Sequence, residues 1–292
     1  MFEGTYTAII TPFDEKGVDY ESFEKLIESQ IKGGINGIVF TGTTGEPATM
    51  TDAEKKQLRR FALDTVAKRV PVIFGTGSNC TLSAVKNSAM AQEEGADGVL
   101  VVTPYYNKCT QEGLYLHYEA ISKECSLPMI IYNVPGRTGV NILPETAGRI
   151  ARGIKNVVGI KEACGNLEQI AKTAKAIEGT QLQLMSGDDK LAVDIAKLGG
   201  TTLISVASNA LPKEFSQLMA YAGAKEFDKA QAILDKYSDF VDLLFAEVNP
   251  IPVKYACSLL GLCKNVLRLP LTPMSEAKAQ LLCKEMQRLQ II

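Results

Sequence analysis

The feature that most constrains this chain is a repeated unit: a short apolar run followed by a helix-forming stretch, eight times in succession. The runs are TYTAII from Thr5, GIVF from Gly37, VPVIFG from Val70, GVLVV from Gly98, PMIIY from Pro128, NVVGIK from Asn156, LQLMS from Leu182 and TTLISV from Thr201. They are nearly all apolar rather than alternating, which suits parallel strands buried on both faces. The gaps hold segments such as DYESFEKLIESQIK and DAEKKQLRRFALDTVAKR. The latter follows Thr51, and Glu54 three residues on completes a capping-box signature. Eight strand–helix units predict an α/β fold, a (β/α)8 TIM barrel, over residues 1–224. An open doubly wound sheet is the alternative. It usually carries a Gly-rich dinucleotide turn after the first strand, whereas TPFDEKG follows here.

After about Pro212 the strand signal stops. The remainder reads as helices interrupted at NPIP and RLPLTP, predicting a C-terminal helical domain over 225–292. Pro250 and Pro252 mark a sharp turn there rather than a flexible linker.

Composition narrows the function classes. The formal net charge is −2, so no basic excess marks a nucleic-acid footprint. No apolar run approaches the roughly 18 residues of a membrane span. The N-terminal MFEGTYTAIITPFDE does not read as a secretory signal. The seven cysteines are scattered without a C-x-x-C pair and fit reduced thiols, so a cytoplasmic location is expected. His117 is the single histidine, which rules out a zinc site with two or three His ligands. It lies in EGLYLHYEAI and reads as a surface or packed helix residue. Acid–base chemistry is therefore expected from Tyr, Lys, Asp or Glu, with no metal.

In such barrels the active site lies at the carboxyl ends of the strands. Lys161 is the anomaly there. It follows VVGI in an interior strand, and lysine is rarely fully buried unless paired. Desolvation would lower its pKa and leave free amine able to attack a carbonyl and form a Schiff base. The alternative is a lysine paired with Glu162 or another carboxylate. Tyr132 ends the neighbouring strand and is either a proton shuttle or a core aromatic. Arg137 follows it in a loop, offering a planar fork for a carboxylate or a solvated charge. The turn GTTGE can cradle a carboxylate with its backbone N–H groups, with further donors in the hydroxyls of Thr43 and Thr44, or be a plain tight turn. Glu46, Asp188 and Asp189 are acids or caps, and Tyr105 and Tyr106 are loop aromatics on this reading.

Taken together, GTTGE, TPYYN, YNVPGRTG, GIKEA, SGDD and NPIPVK, in this order, resemble the dihydrodipicolinate synthases, or 4-hydroxy-tetrahydrodipicolinate synthases, of the pyruvate-dependent lyase and aldolase superfamily. The resemblance runs from TYTAIITPFDEKG to RLPLTP, essentially the whole chain. It implies condensation of pyruvate with L-aspartate 4-semialdehyde, on the route to diaminopimelate and lysine, without a cofactor beyond the covalent Schiff base. It implies Lys161 as the Schiff-base lysine and Tyr132, Thr43 and Tyr106 as the proton relay, with Tyr106 reaching into the partner's site across a tight dimer. Thr44 is implied to hold the pyruvate carboxylate and Arg137 the semialdehyde carboxylate, with Gly187 and Ile204 lining the site through their backbone. The implied assembly is a homotetramer of tight dimers, with no nucleic-acid or membrane partner. N-acetylneuraminate lyases and keto-sugar acid aldolases share the lysine and tyrosine, but the lyases generally carry an apolar residue where Arg137 stands. A catalytically inactive binding barrel is the reading from another class. Asn79 and Tyr105 match the cleft of lysine-inhibited relatives, but Pro47, Lys55 and Ser83 stand where sensitive members often have Ser, His and Glu. Weak or absent feedback inhibition is therefore expected. Cys109 replaces a frequent proline after YYN and is expected to be an inert thiol.

Overall fold

The computed structural model describes residues 2–292. Eight parallel strands close into a barrel. They are β1 (Gly4–Ala8), β2 (Gly37–Phe40), β3 (Val72–Gly75), β4 (Gly98–Val102), β5 (Met129–Asn133), β6 (Val157–Glu162), β7 (Gln183–Ser186) and β8 (Thr202–Ser205). β1 closes the ring: its Thr7 lies opposite Ile38 of β2 on one side and Ser205 of β8 on the other. The principal helices after successive strands are α1 (Tyr20–Lys32), α2 (Asp52–Val66), α3 (Thr81–Glu94), α4 (Gln111–Glu124), α5 (Pro144–Gly153), α6 (Leu167–Ala176), α7 (Ala192–Lys197) and α8 (Pro212–Gly223). The barrel expected from the sequence is therefore the fold observed.

Why the strands read as unbroken apolar runs is now visible. Successive side chains alternate between two apolar layers. In β3, Ile73 points into the lumen while Val72 and Phe74 pack outward against the helices. Val39 in β2, Leu100 in β4 and Ile130 in β5 fill the lumen likewise, with outward neighbours Ile38, Val99 and Ile131. Both faces are covered, so neither can be polar.

β6 departs from strict alternation. Met129 lies opposite Val157 but the next residue, Ile130, lies opposite Gly159, so Val158 has no counterpart in β5. One extra residue shifts the facing of everything after it. Val158 belongs to the lumen cluster, and a Cβ on Gly159 would sit 2.3 Å from the lumen residue Met185, so both of these consecutive positions face inward. Ile160 then packs outward. Lys161 consequently turns inward and Glu162 outward.

Two details were not anticipated. Residues Phe13–Asp14 and Gly17–Val18 form a small antiparallel hairpin after β1, its turn held by Asp14, whose carboxylate accepts from the N–H groups of Lys16 (2.7 Å) and Gly17 (3.1 Å). Strands of two residues are too short to leave a periodic signal. The loop after β5 also contains one helical turn, Pro135–Thr138. The capping box at Thr51 and Glu54 is present in full and starts α2.

Beyond α8 the chain is helical: α9 (Phe227–Lys236), α10 (Ser238–Leu244), α11 (Ile251–Leu259) and α12 (Glu276–Arg288). Phe240, Leu244, Val253 and Leu282 from these helices join the same outer apolar core as the barrel. Among the described residues no helix is long and apolar enough to cross a membrane.

Candidate active site

Lys161 and Tyr132 are direct partners across the β5–β6 pairing, near the carboxyl ends of their strands. The Lys161 Nζ stands 4.1 Å from the centre of the Tyr132 ring. Both side chains are buried, at 5% and 7% exposure. No carboxylate among the described residues lies within ion-pair distance of Lys161, and Glu162 faces the other way, accepting from Asn133 Nδ2 at 3.0 Å. Pairing with Glu162 is therefore not what the lysine does. Burial lowers the Lys161 pKa from 10.5 to about 7; Asp189 opposes the shift and Arg137 adds to it. The amine is thus substantially free near neutral pH. Burial pushes the Tyr132 phenol up to about 12, opposed by Arg137 and by hydrogen bonding from Thr43, while Asp188 adds to the rise. Between about pH 7 and about pH 12 the amine is largely free while the phenol keeps its proton, so an acid stands beside a nucleophile.

Room for the lysine comes from Gly187. A Cβ there would lie 2.8 Å from Lys161 Cε and 3.0 Å from the Glu162 carbonyl oxygen. The Gly187 N–H donates to that carbonyl at 2.7 Å, locking the end of β7 to the end of β6. Ile204, buried in the lumen cluster, lines the same end of the barrel from β8.

The GTTGE segment forms a 3-10 turn, Thr43–Gly45, after β2. The turn is bracketed by Thr41 and Glu46, whose backbones are left-handed at φ 52° and 54°. Thr43 is exposed and Thr44 buried. Thr44 Oγ1 accepts from Asn249 Nδ2 at 3.0 Å, and the Asn249 carbonyl accepts from Arg137 Nη2 at 3.1 Å. Asn249, in the segment before α11, therefore joins the two residues expected to hold the two substrate carboxylates. The Asn249 Oδ1 is buried without a partner among the described residues. NPIPVK marks this segment in the sequence, but a bridge made across 205 residues leaves no local sign there.

Three acids left open as acids or caps resolve into different structural tasks. Glu46 is buried and paired with Lys254 of α11. Asp188 accepts from the Lys190 N–H at 2.9 Å, capping the turn after β7. Asp189 accepts from Ser205 Oγ (2.5 Å) and from the N–H groups of Val206 (3.0 Å) and Ala207 (3.2 Å), tying the loops after β7 and β8 together. Its carboxyl is pushed up to about 6, chiefly by burial.

Tyr106 is not gathered with the rest. Its ring is 90% exposed, its φ is +70°, and its hydroxyl has no hydrogen-bond partner among the described residues. Cys109 is half-buried, and burial raises its thiol above the usual range. His117 is a packed helix residue: its Nδ1 lies 3.0 Å from Thr81 Oγ1, and burial lowers its pKa to about 4.

The whole chain also compares closely with known proteins. The model of the dihydrodipicolinate synthetase family matches residues 1–289. A 4-hydroxy-tetrahydrodipicolinate synthase of Alkaliphilus oremlandii is 48% identical over 292 residues, all of both chains. The crystal structure of a dihydrodipicolinate synthase from Thermotoga maritima superposes with a TM-score of 0.98 at 44% identity, again covering both chains completely. That of the chloride-inhibited Acinetobacter baumannii dihydrodipicolinate synthase, complexed with pyruvate, gives 0.97 at 43% identity over the whole of both chains. With the barrel, the buried lysine–tyrosine pair and these full-length matches all in agreement, the chain belongs to the dihydrodipicolinate synthetase family.

Proposed function

We propose that the chain is a 4-hydroxy-tetrahydrodipicolinate synthase, condensing pyruvate with L-aspartate 4-semialdehyde. The observation that carries this is the Lys161 amine, buried without a carboxylate partner and poised over Tyr132 at the mouth of the barrel. Binding alone needs no such group. The pyruvate complex of the Acinetobacter relative supports the choice of keto acid.

In the proposed reaction the free amine attacks C2 of pyruvate. Tyr132 donates the proton with which the former carbonyl oxygen leaves as water, giving an iminium. The cationic nitrogen accepts the electron pair when a methyl proton passes to the Tyr132 phenolate left by the previous step, and an enamine forms. Its carbon attacks the aldehyde carbonyl, making the new C–C bond; the carbonyl π electrons pass to oxygen, which takes up a proton, and the iminium is restored. The substrate amine then attacks C2, the bond to Lys161 breaks, and the ring closes with the lysine amine released. Thr43 relays protons between Tyr132 and a tyrosine supplied as Tyr106 by a second copy of the chain. Thr44 and the turn's N–H groups hold the pyruvate carboxylate, and Arg137 holds that of the semialdehyde. No cofactor takes part. The proposed working form is a homotetramer of tight dimers in the cytoplasm; the exposed ring of Tyr106 supports the contact between two copies.

Arg137 favours this reaction over cleavage of a sugar acid. A compact anionic aldehyde is matched by a cation, whereas a polyhydroxylated chain is matched by hydroxyl partners. The test offers pyruvate with either aspartate semialdehyde or N-acetylmannosamine, in parallel with borohydride trapping and mass spectrometry. Turnover of the semialdehyde and a pyruvate adduct on Lys161 are expected. Turnover of the sugar alone, or no adduct, overturns the assignment.

A further inference from the structure

The ion pair between Glu46 and Lys254 lies outside the reaction just described, yet it is the most deeply buried charge pair among the described residues. Both side chains have 0% exposure, and 208 residues separate them in sequence. The surrounding contacts are complete. Lys254 Nζ donates to Glu46 and to the Val266 carbonyl at 3.0 Å, and stands 4.4 Å from the centre of the Phe13 ring. The other Glu46 oxygen accepts from the Arg268 N–H at 3.3 Å. Arg268 in turn stacks over Phe13 at 4.2 Å, pairs with Glu54 at 2.5 Å and donates to the Thr49 carbonyl at 3.1 Å.

What this cluster grips is the substrate turn. Glu46 is the residue immediately after the Thr43–Gly45 turn, and its left-handed backbone, φ 54°, is one that a non-glycine residue adopts only when its surroundings hold it there. Its carbonyl accepts from Thr49 Oγ1 at 2.9 Å, and the Gly45 carbonyl accepts from Thr11 Oγ1 at 2.8 Å. The turn is thereby fixed at its far end, while Thr43 stays exposed and the Thr44 hydroxyl is held by Asn249 Nδ2 at 3.0 Å. A buried ion pair is a poor source of stability, since apolar side chains of similar volume often replace one without loss. Its value lies in fixed geometry.

We propose that Glu46 and Lys254 are a positioning pair for catalysis: clamped to the C-terminal helices, Glu46 sets the Thr43 hydroxyl in the proton relay and the Thr44 hydroxyl against the carboxylate of bound pyruvate. The inference rests on the synthase reading above. Misplacing a catalytic group by about 1 Å can lower rates on the order of 100-fold.

The experiment uses the full-length protein. Wild type is first shown to form the pyruvate adduct and to turn over the semialdehyde; failure there removes the synthase reading itself. Glu46→Gln/Lys254→Met then removes both charges at once and leaves neither unpaired. The expected result is a melting temperature close to wild type, with kcat/KM for pyruvate lower by roughly 10-fold or more. The half-saturating pyruvate concentration in borohydride trapping rises in parallel, while KM for the semialdehyde is little changed. Wild-type pyruvate kinetics in the folded double variant overturn the proposal and leave the pair a fold element only. If the double variant does not fold, Glu46→Asp decides. It keeps both charges and shortens the tether by one methylene, so the same loss for pyruvate is expected, and an unchanged pyruvate KM overturns the proposal.

Discussion

At the scale of single residues, the chemistry turns on how little water reaches Lys161. An ammonium stripped of solvent and given no carboxylate partner gives up its proton more readily, hence the fall of its pKa from 10.5 to about 7. Only the free amine attacks a carbonyl, and its fraction grows as pH rises through that value. Tyr132 holds its proton until about 12, so no loss on the alkaline side is set by it in the working range. kcat/KM for pyruvate is therefore expected to rise about tenfold per pH unit on the acid side, bend near pH 7 and stay level above it. A rate that keeps climbing towards pH 10 would show an ordinary solvated lysine and sink the desolvation account. Lys161 was legible in the sequence because a charge interrupts an apolar run. Tyr132 acquires its role only from pairing opposite that lysine. Asn249 and Lys254 carried no comparable signal: their partners Thr44 and Glu46 lie 205 and 208 residues away, and nothing local marks such a contact.

At the scale of elements, eight apolar runs and a capping box were enough to read the barrel, because each is written in the side chains of its own segment. The extra residue in β6 was not. VVGIKE gives no local sign that Val158 lacks a partner, since that depends on how β5 lies beside it. Yet this irregularity aims Lys161 inward: simple alternation from Val158 would put Ile160 in the lumen and Lys161 among the helices. Element starts also bear on regulation. Lys55 lies in the first turns of α2, with its ammonium 3.7 Å from Asp52, and Ser83 lies in the first turn of α3. The Asn79 carbonyl accepts from Asn107 Nδ2 at 3.0 Å, joining the segment before α3 to the loop that carries Tyr105. In the cleft that the resemblance implies for lysine-inhibited relatives, a lysine ligand would meet Lys55 as a like charge and Ser83 as a hydroxyl where sensitive members often have Glu. Calorimetric titration with L-lysine is expected to show no sub-millimolar binding, and steady-state rates at that concentration to be unchanged. Strong inhibition would show that other groups form the effector site.

At the scale of the whole molecule, the proposed relay through Tyr106 ties the activity of one chain to the presence of a second. In one chain its ring is 90% exposed on a left-handed backbone, and its N–H donates to the Thr138 carbonyl at 3.4 Å. A general acid that never leaves solvent is a poor relay, so a second copy is expected to cover it and receive it. Isologous pairing makes the exchange reciprocal, each chain lending its tyrosine to the other. Two inactive variants then become informative together. Lys161→Ala has no nucleophile. Tyr106→Phe keeps the lysine but loses the phenol, with kcat expected to fall on the order of 100-fold. In a dimer containing one chain of each kind, reciprocal exchange gives the intact lysine the intact tyrosine at one of the two sites. Random pairing of equal amounts makes half the dimers mixed, so co-expression should restore about a quarter of wild-type activity. If each Tyr106 served its own chain, the lysine and the tyrosine would never meet in a mixed dimer. Activity would then stay at the sum of the two separate variants, and the proposed relay would have to be built within a single barrel.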